Sequence, residues 1–163
     1  MKQLDYIQSK ILERDTTLVE TIEQVKKEGK KIVFTNGCFD IIHRGHVEYL
    51  AKARDKGDFM VLGLNTDASV QRLKGPTRPL QDEHTRALVL AAFTFIDCVV
   101  YFDEDTPLAL ISEIIPDVLV KGADYKPEDI VGYDIVTQNG GSVATIEFVQ
   151  GHSSTNVINK MVN

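Results

Sequence analysis

Cysteine is scarce in this chain: two residues, Cys38 and Cys98, in 163. Both lie in or beside apolar strand-like runs and lack metal-ligand spacing, so they read as reduced residues of a cytoplasmic protein's core. An excess of basic residues is also missing. Lys and Arg total 18 against 24 Asp and Glu, a net charge of −6. That balance argues against a general nucleic-acid binder, which neutralises phosphates with surplus cations, and leaves room for a basic pocket. No run is long and apolar enough to cross a bilayer, and the polar start Met1-Lys2-Gln3-Leu4-Asp5 lacks the apolar region of a signal peptide. The two common phosphate loops, G-x-x-x-x-G-K-[ST] and G-x-G-x-x-G, do not occur. Repeats and low-complexity tracts are missing too.

What is present is an alternating pattern of short apolar runs and amphipathic segments. The 43% hydrophobic content supplies a real core for one domain. Leu4, Ile7, Ile11 and Leu12 predict a short helix over 1–15. Thr16 or Thr17 can cap a second helix running to Gly29. Strands are expected over 31–35, 59–64, 98–102, 118–120 and 142–148. Helices are expected over 45–56, 82–95, from Thr106-Pro107 to Pro116, 128–138 and 153–161. β-Branched runs separated by helices mean an α/β fold: a Rossmann-like five-stranded parallel sheet with helices on both faces, plus an N-terminal helical extension over residues 1–30. That extension either packs on the core or serves in dimerisation.

In such a sheet, ligands sit beyond the carboxyl ends of the strands. His43 and His46 follow the first strand, Asn65, Thr66 and Asp67 the second, and Asp103 the third. Lys121-Gly122-Ala123-Asp124 follows the fourth, and Gly151-His152-Ser153-Ser154-Thr155 the fifth. The tetrapeptide His43-Arg44-Gly45-His46, just after Gly37-Cys38-Phe39-Asp40, is the strongest signal. Gly45 lets backbone approach a polyphosphate, the new helix offers free N–H groups, and imidazoles can hydrogen-bond phosphate oxygens and charge as negative charge builds. An isolated pair of this kind is usually two surface histidines, and Ser153, Ser154 and Thr155 alone would usually only cap a helix. Together they suggest a triphosphate clamp.

These motifs resemble the signatures of the HxGH nucleotidyltransferase (cytidylyltransferase-like) superfamily. Within it, the chain is similar to the D-glycero-β-D-manno-heptose 1-phosphate adenylyltransferase domains of ADP-heptose synthases. The similarity runs from about Lys30 to the C-terminus, over residues 35–41, 65–69, 72–75, Arg78-Pro79, Glu104-Asp105-Thr106-Pro107 and 120–128. It implies a nucleotidyltransferase domain over 31–163. It also implies transfer of AMP from ATP, with Mg²⁺, to a sugar 1-phosphate, releasing ADP-heptose and pyrophosphate for lipopolysaccharide synthesis. In many relatives this domain is fused to a sugar kinase. The chain reads as the stand-alone form, a homo-oligomer served by a separate heptose kinase, with no nucleic-acid or membrane partner.

The resemblance assigns His43, His46 and Lys74 to catalysis, Lys74 lying on the loop after the second strand. Asn36, Gly37, Cys38, Phe39, Gly45, Lys121, Gly122, Ala123, Asp124, Ser153, Ser154 and Thr155 fall to the nucleotide. Asp40, Asn65, Asp67, Arg78 and Arg86 fall to the acceptor. Bland readings stand beside several of these. Lys74 can be a solvated lysine, Asp124 a turn cap and Asp40 a brace for its turn. Arg78 and Arg86 can pair with Asp82 or Glu83 at the surface. Arg44 and His152 depart from the family pattern. Three alternatives remain at this level: a cytidylyltransferase or adenylyltransferase for another acceptor such as glycerol 3-phosphate, a non-catalytic nucleotide-binding module, and an aminoacyl-tRNA synthetase fragment. The short length and acidic balance disfavour the last.

Overall fold

Apolar, β-branched segments that find neighbours on both sides become interior strands, and here they do. A computed structural model describes residues 1–147 and 157–158. Its sheet holds β1 (Ile11–Leu12), β2 (Ile32–Gly37), β3 (Phe59–Asn65), β4 (Cys98–Phe102), β5 (Val118–Gly122) and β6 (Ser142–Ile146). The order is β1-β4-β3-β2-β5-β6, and every pairing is parallel. The Rossmann-like parallel sheet expected from the sequence is therefore present, with six strands among the described residues in place of five.

The additional strand comes from the segment read as one helix over 1–15. Helix α1 covers only Gln3–Gln8, and the chain then extends so that Ile11 and Leu12 pair with Val99 and Val100. Tertiary pairing overrode a helical spacing, since two apolar residues gain more on a sheet edge than in a solvated last turn. Lys10 is fixed there: its Nζ donates to the Ala91 and Phe93 carbonyls at 2.9 Å each. Helix α2 (Thr16–Lys27) is capped by Asp15, whose carboxylate accepts from the Thr17 N–H, not by either threonine.

Helices α3 (Arg44–Arg54) and α5 (Glu83–Ala91) bury Tyr49, Leu50, Ala53, Ala87, Leu90 and Ala91 on one face of the sheet. Helices α2, α6 (Leu108–Ile114) and α7 (Tyr133–Gln138) bury Leu18, Ile22, Val25, Leu110, Ile111 and Val136 on the other. A helix over 128–138 was expected. The chain instead makes a 3₁₀ turn at Pro127–Asp129 and starts α7 after Gly132, whose φ is +93°. Helix α4 (Asp67–Lys74) was not anticipated. Thr66 caps it by accepting from the Ser69 N–H, and Asp67 stands at its positive end. The helix expected over 153–161 lies outside the described residues, apart from Val157 and Ile158, which are helical.

Strand order reverses at β2. From it, β3 and β4 run outward to one side, and β5 and β6 to the other. Such a switch point leaves a crevice at the carboxyl ends of the central strands. Gly63 on β3 allows close packing beside that crevice: a Cβ there would come within 2.9 Å of the Phe34 ring, 3.1 Å of the Asn36 Cβ and 3.3 Å of Leu110 on α6. Gly63→Val should lower unfolding free energy by about 1–3 kcal/mol through overpacking, read as a reduced urea midpoint. An unchanged midpoint would mean that Phe34 moves aside without cost.

Candidate active-site crevice

The turn after β2 is built around Phe39. Its backbone is left-handed (φ +46°), which carries the ring back over Gly37. A Cβ at Gly37 would sit 2.9 Å from that ring, so glycine is needed beneath it. The same ring meets His46 edge-on, with centroids 5.3 Å apart. His43 is the N-cap of α3, and its carbonyl accepts from the His46 and Val47 N–H groups. His43 and His46 are one helical turn apart, so their rings stack with centroids at 3.9 Å and planes 21° apart. Gly45, between them, is buried.

Stacking and burial set the charge of this pair. Burial, then the neighbouring His43, pulls the His46 imidazole down from its usual value to about 4, and Lys74 acts in the same direction. An interaction with the Ile41 backbone opposes these. His46 is therefore neutral at physiological pH in the free protein. Its Nδ1 is buried and has no hydrogen-bond partner among the described residues.

The crevice at the switch point has two connected lobes. A polar lobe of about 420 Å³ is lined by Gly37, Cys38, His46, Lys74, Gly122 and Asp124, with Tyr49 one turn beyond His46. A smaller lobe of about 260 Å³ is walled by Leu73, Phe102, Pro107, Ile130 and Val131. Asn36, Asn65, Leu73, Lys121 and Tyr125 face both. Two cations, Lys74 and Lys121, thus stand beside neutral imidazole in a protein of negative net charge. Burial brings the Lys121 ammonium down to about 8, against the opposing pull of Asp124 and Cys38. Cys38 is a half-buried crevice residue, not a core one. Burial raises its thiol, which reaches toward Asn65 Oδ1 at 3.9 Å. Cys98 is the core thiol, pushed up to about 12 by burial.

The residues expected here divide clearly. Asn36, Gly37, Cys38, Phe39, Asp40, His46, Asn65, Lys74, Lys121, Gly122 and Asp124 line the crevice. Lys74 closes α4 and does not lie on a loop. Ala123 is exposed, and its N–H bonds the Ile146 carbonyl. Asp67 turns from the crevice to Arg86, and Arg44 pairs with Glu48 on the outer surface at 2.5 Å. Ser153, Ser154, Thr155 and His152 lie outside the described residues. The apolar wall was missed by sequence reasoning. Its one available signal was that Leu73, Phe102 and Pro107 each adjoin a strand end or a motif residue.

The two arginines assigned to the acceptor have other partners. Arg86 is 1% exposed. Its Nε donates to the Gln81 carbonyl, one Nη to the Cys38 and Asn65 carbonyls at 2.7 and 2.9 Å, and the other Nη to Asp67 at 2.7 Å. Those bonds engage both ends of the guanidinium in holding the loop after β2 to the end of β3. Arg78 donates to Asp40 at 2.6 Å, and the same carboxylate accepts from the Leu80 and Gln81 N–H groups. Asp40, 2% exposed, is thus the brace of two loops, and neither arginine makes the surface pair with Asp82 or Glu83. Asp82 instead caps α5.

Burial would raise the Asp40 carboxyl, but the Gln81 and Leu80 amides and the Arg78 guanidinium outweigh it and hold it below the usual range. A depressed folded value means the stabilisation is complete above the unfolded value, roughly pH 4, and is lost as pH falls through the folded one. Asp40→Asn should cost about 3–5 kcal/mol near neutrality by leaving Arg78 unpaired in the interior. In urea titrations from pH 7 to 3, the gap between wild type and variant should close below about pH 4. A gap independent of pH would show that charge on Asp40 is not what braces the loops.

Comparison with known proteins agrees with this geometry. The family model described as cytidylyltransferase-like matches residues 34–160. The bifunctional protein HldE of Syntrophotalea carbinolica is 56% identical over 95% of this chain and 31% of its own length. That of Geobacter metallireducens is 60% identical over 89% of this chain and 30% of its own. The chain thus spans under a third of these relatives. A crystal structure of the lipopolysaccharide core biosynthesis protein from Thermoplasma volcanium shares the fold, with a TM-score of 0.60 at 24% identity over 76% of this chain and 100% of that one. With a parallel switch-point sheet, stacked histidines at the head of the helix after its central strand and a family match over most of its length, the chain belongs to the cytidylyltransferase-like family.

Proposed function

We propose that the crevice transfers AMP from ATP to D-glycero-β-D-manno-heptose 1-phosphate. The observation that carries this reading is the neutral, half-buried His46 lining the switch-point crevice together with Lys74 and Lys121. In the proposed step a phosphate oxygen of the acceptor bonds to the α-phosphorus of ATP. The bond from that phosphorus to pyrophosphate breaks, and pyrophosphate leaves with the electron pair. The nucleophile is already an anion, so no base is required; alignment and charge neutralisation are. His43 and His46 would hydrogen-bond the phosphates, and Lys74 would supply fixed positive charge across the crevice. Ser153, Ser154 and Thr155 remain proposed β- and γ-phosphate contacts from the family resemblance.

Among the described residues, no three carboxylate, imidazole or thiol groups converge as a metal site, and Lys74 and Lys121 stand in the polar lobe, where Arg78 already pairs with Asp40. This donor set suits an anion. Mg²⁺ therefore belongs to this reading as a passenger on the triphosphate, held by phosphate oxygens and water, where it would neutralise charge. A heptose kinase acting upstream, a homo-oligomeric state and a cytoplasmic location belong to the same reading. Among the described residues no helix is long and apolar enough to cross a membrane.

A pyrophosphate-release assay with ATP or CTP and a panel of sugar 1-phosphates and glycerol 3-phosphate tests the reading. ATP with the heptose 1-phosphate should be the best pair. His46→Ala should lower turnover about 10²–10³-fold, with an unchanged circular dichroism spectrum. Full turnover in that variant, or preference for CTP, would overturn the assignment. The depressed His46 value adds a second test. A triphosphate beside the ring raises its proton affinity, so ATP binding between about pH 5 and 6.5 should take up a proton beyond that of ATP itself. Calorimetry in buffers of different ionisation enthalpy measures the uptake. His46→Gln should remove the excess, and equal uptake in both proteins would place the triphosphate elsewhere.

A further inference from the structure

The two lobes differ in chemistry, and Lys121 is the cation common to both linings. The smaller lobe has aliphatic and aromatic walls, with Asp105, Thr106 and Asp129 at its margin. A triphosphate, with about four negative charges, finds neither Lys74 nor His46 here and gains nothing from Leu73, Phe102 or Ile130. A polyol suits the same surface. Its C–H faces pack on apolar walls, and its hydroxyls donate to carboxylates. Asp105 is held at the rim by Arg72 at 3.0 Å, which leaves Asp129 as the carboxylate for that work. The polar lobe adds His46, Lys74 and the backbone of Gly37 and Gly122; of its two carboxylates, Asp40 is paired with Arg78 and Asp124 acts on Lys121.

A sugar phosphate seated in the small lobe must still present its phosphate to the α-phosphorus in the polar lobe. The strand end of β5 puts the Lys121 side chain in the wall between them. Resting on the adenylyl-transfer reading above, we propose that the small lobe is the acceptor subsite. Lys121 carries the acceptor's phosphate across the shared wall, and Asp129 receives its hydroxyls. Lys121 is then a catalytic residue of the acceptor half, distinct from the nucleotide role that the resemblance suggests.

The setting of Lys121 makes this testable by pH. Asp124 from the loop after β5 and Cys38 from the turn after β2 act on it, while His46 of α3, Lys74 of α4, and Asp105 and Asp129 face the same crevice. Burial leaves the ammonium about half deprotonated near pH 8. In the nucleotide-free chain, acceptor affinity should therefore fall as pH rises through 8, and arginine, which stays charged, should remove that fall.

The experiment is calorimetric titration of the heptose 1-phosphate into the full chain saturated with a non-hydrolysable ATP analogue, beside pyrophosphate-release kinetics. Lys121→Met should weaken acceptor binding at least about tenfold while leaving the analogue's affinity nearly unchanged, as loss of one charged hydrogen bond predicts. Lys121→Arg should restore acceptor binding and, in a parallel titration without the analogue, abolish its decline above pH 8. Asp129→Leu should weaken the sugar phosphate but not inorganic phosphate. Loss of analogue affinity in Lys121→Met, alone or together with the acceptor's, overturns the proposal. So does unchanged acceptor affinity, or a pH profile that Lys121→Arg leaves intact. If wild type binds both ligands but releases no pyrophosphate, the transferase reading falls and the subsite stands. If wild type turns over while Lys121→Met keeps its acceptor affinity, the subsite falls alone. Wild type that binds no sugar phosphate at all removes both.

Discussion

Arg86 is the interaction on which the crevice depends. One guanidinium from α5 joins the Cys38 carbonyl after β2, the Asn65 carbonyl ending β3, the Gln81 carbonyl before α5 and the Asp67 carboxylate opening α4. The Asn65 carbonyl would otherwise be buried without that partner, at a cost of about 1–3 kcal/mol. The planar fork of arginine serves several acceptors at once, which lysine's single ammonium cannot match. Asp40 complements it by tying Arg78 and the amides of Leu80 and Gln81 to the same turn. Two buried charges of opposite sign thus define the floor on which His46, Cys38 and Asn65 stand.

With its strongest cation and best-placed carboxylate committed to structure, the crevice draws its electrostatics from weaker groups. His46 is kept neutral by burial and by His43, and Lys121 is brought near half-ionisation. Groups held short of full charge respond most when an anion arrives, because its field restores the proton that desolvation removed. A net-acidic protein can therefore offer sites for phosphates, of nucleotide and acceptor alike, without a permanently basic surface. The cost of burying polar groups falls in the free state and is relieved on binding.

Much of the fold was legible from local pattern. Ile32-Val33-Phe34 and its counterparts are apolar on both faces, which only an interior parallel strand requires, and glycine or proline marks most ends. The gathering of His46, Asn65, Lys121 and Asp124 at one end, with His43 stacked on His46, followed from strand polarity alone. Three features did not follow. Ile11–Leu12 has a helical spacing, and its strand exists only because Val99 and Val100 offer an edge. Helix α4 is short and polar, so its pattern is faint beside its caps. Asp40, Arg78 and Arg86 have side chains whose partners lie 19–48 residues away along the chain, a separation no local spacing encodes.

The amino-acid sequence by itself determined the parallel α/β class, the order of its main elements and the family, because these rest on periodicity and on residues close together in the chain. Which charged groups face the ligand and which brace the walls was decided only in three dimensions. A guanidinium or carboxylate takes whichever partner folding brings within about 3 Å, and burial then sets its charge. The apolar lobe is of the same kind: Leu73, Phe102, Pro107 and Ile130 become one wall only when four separate segments meet.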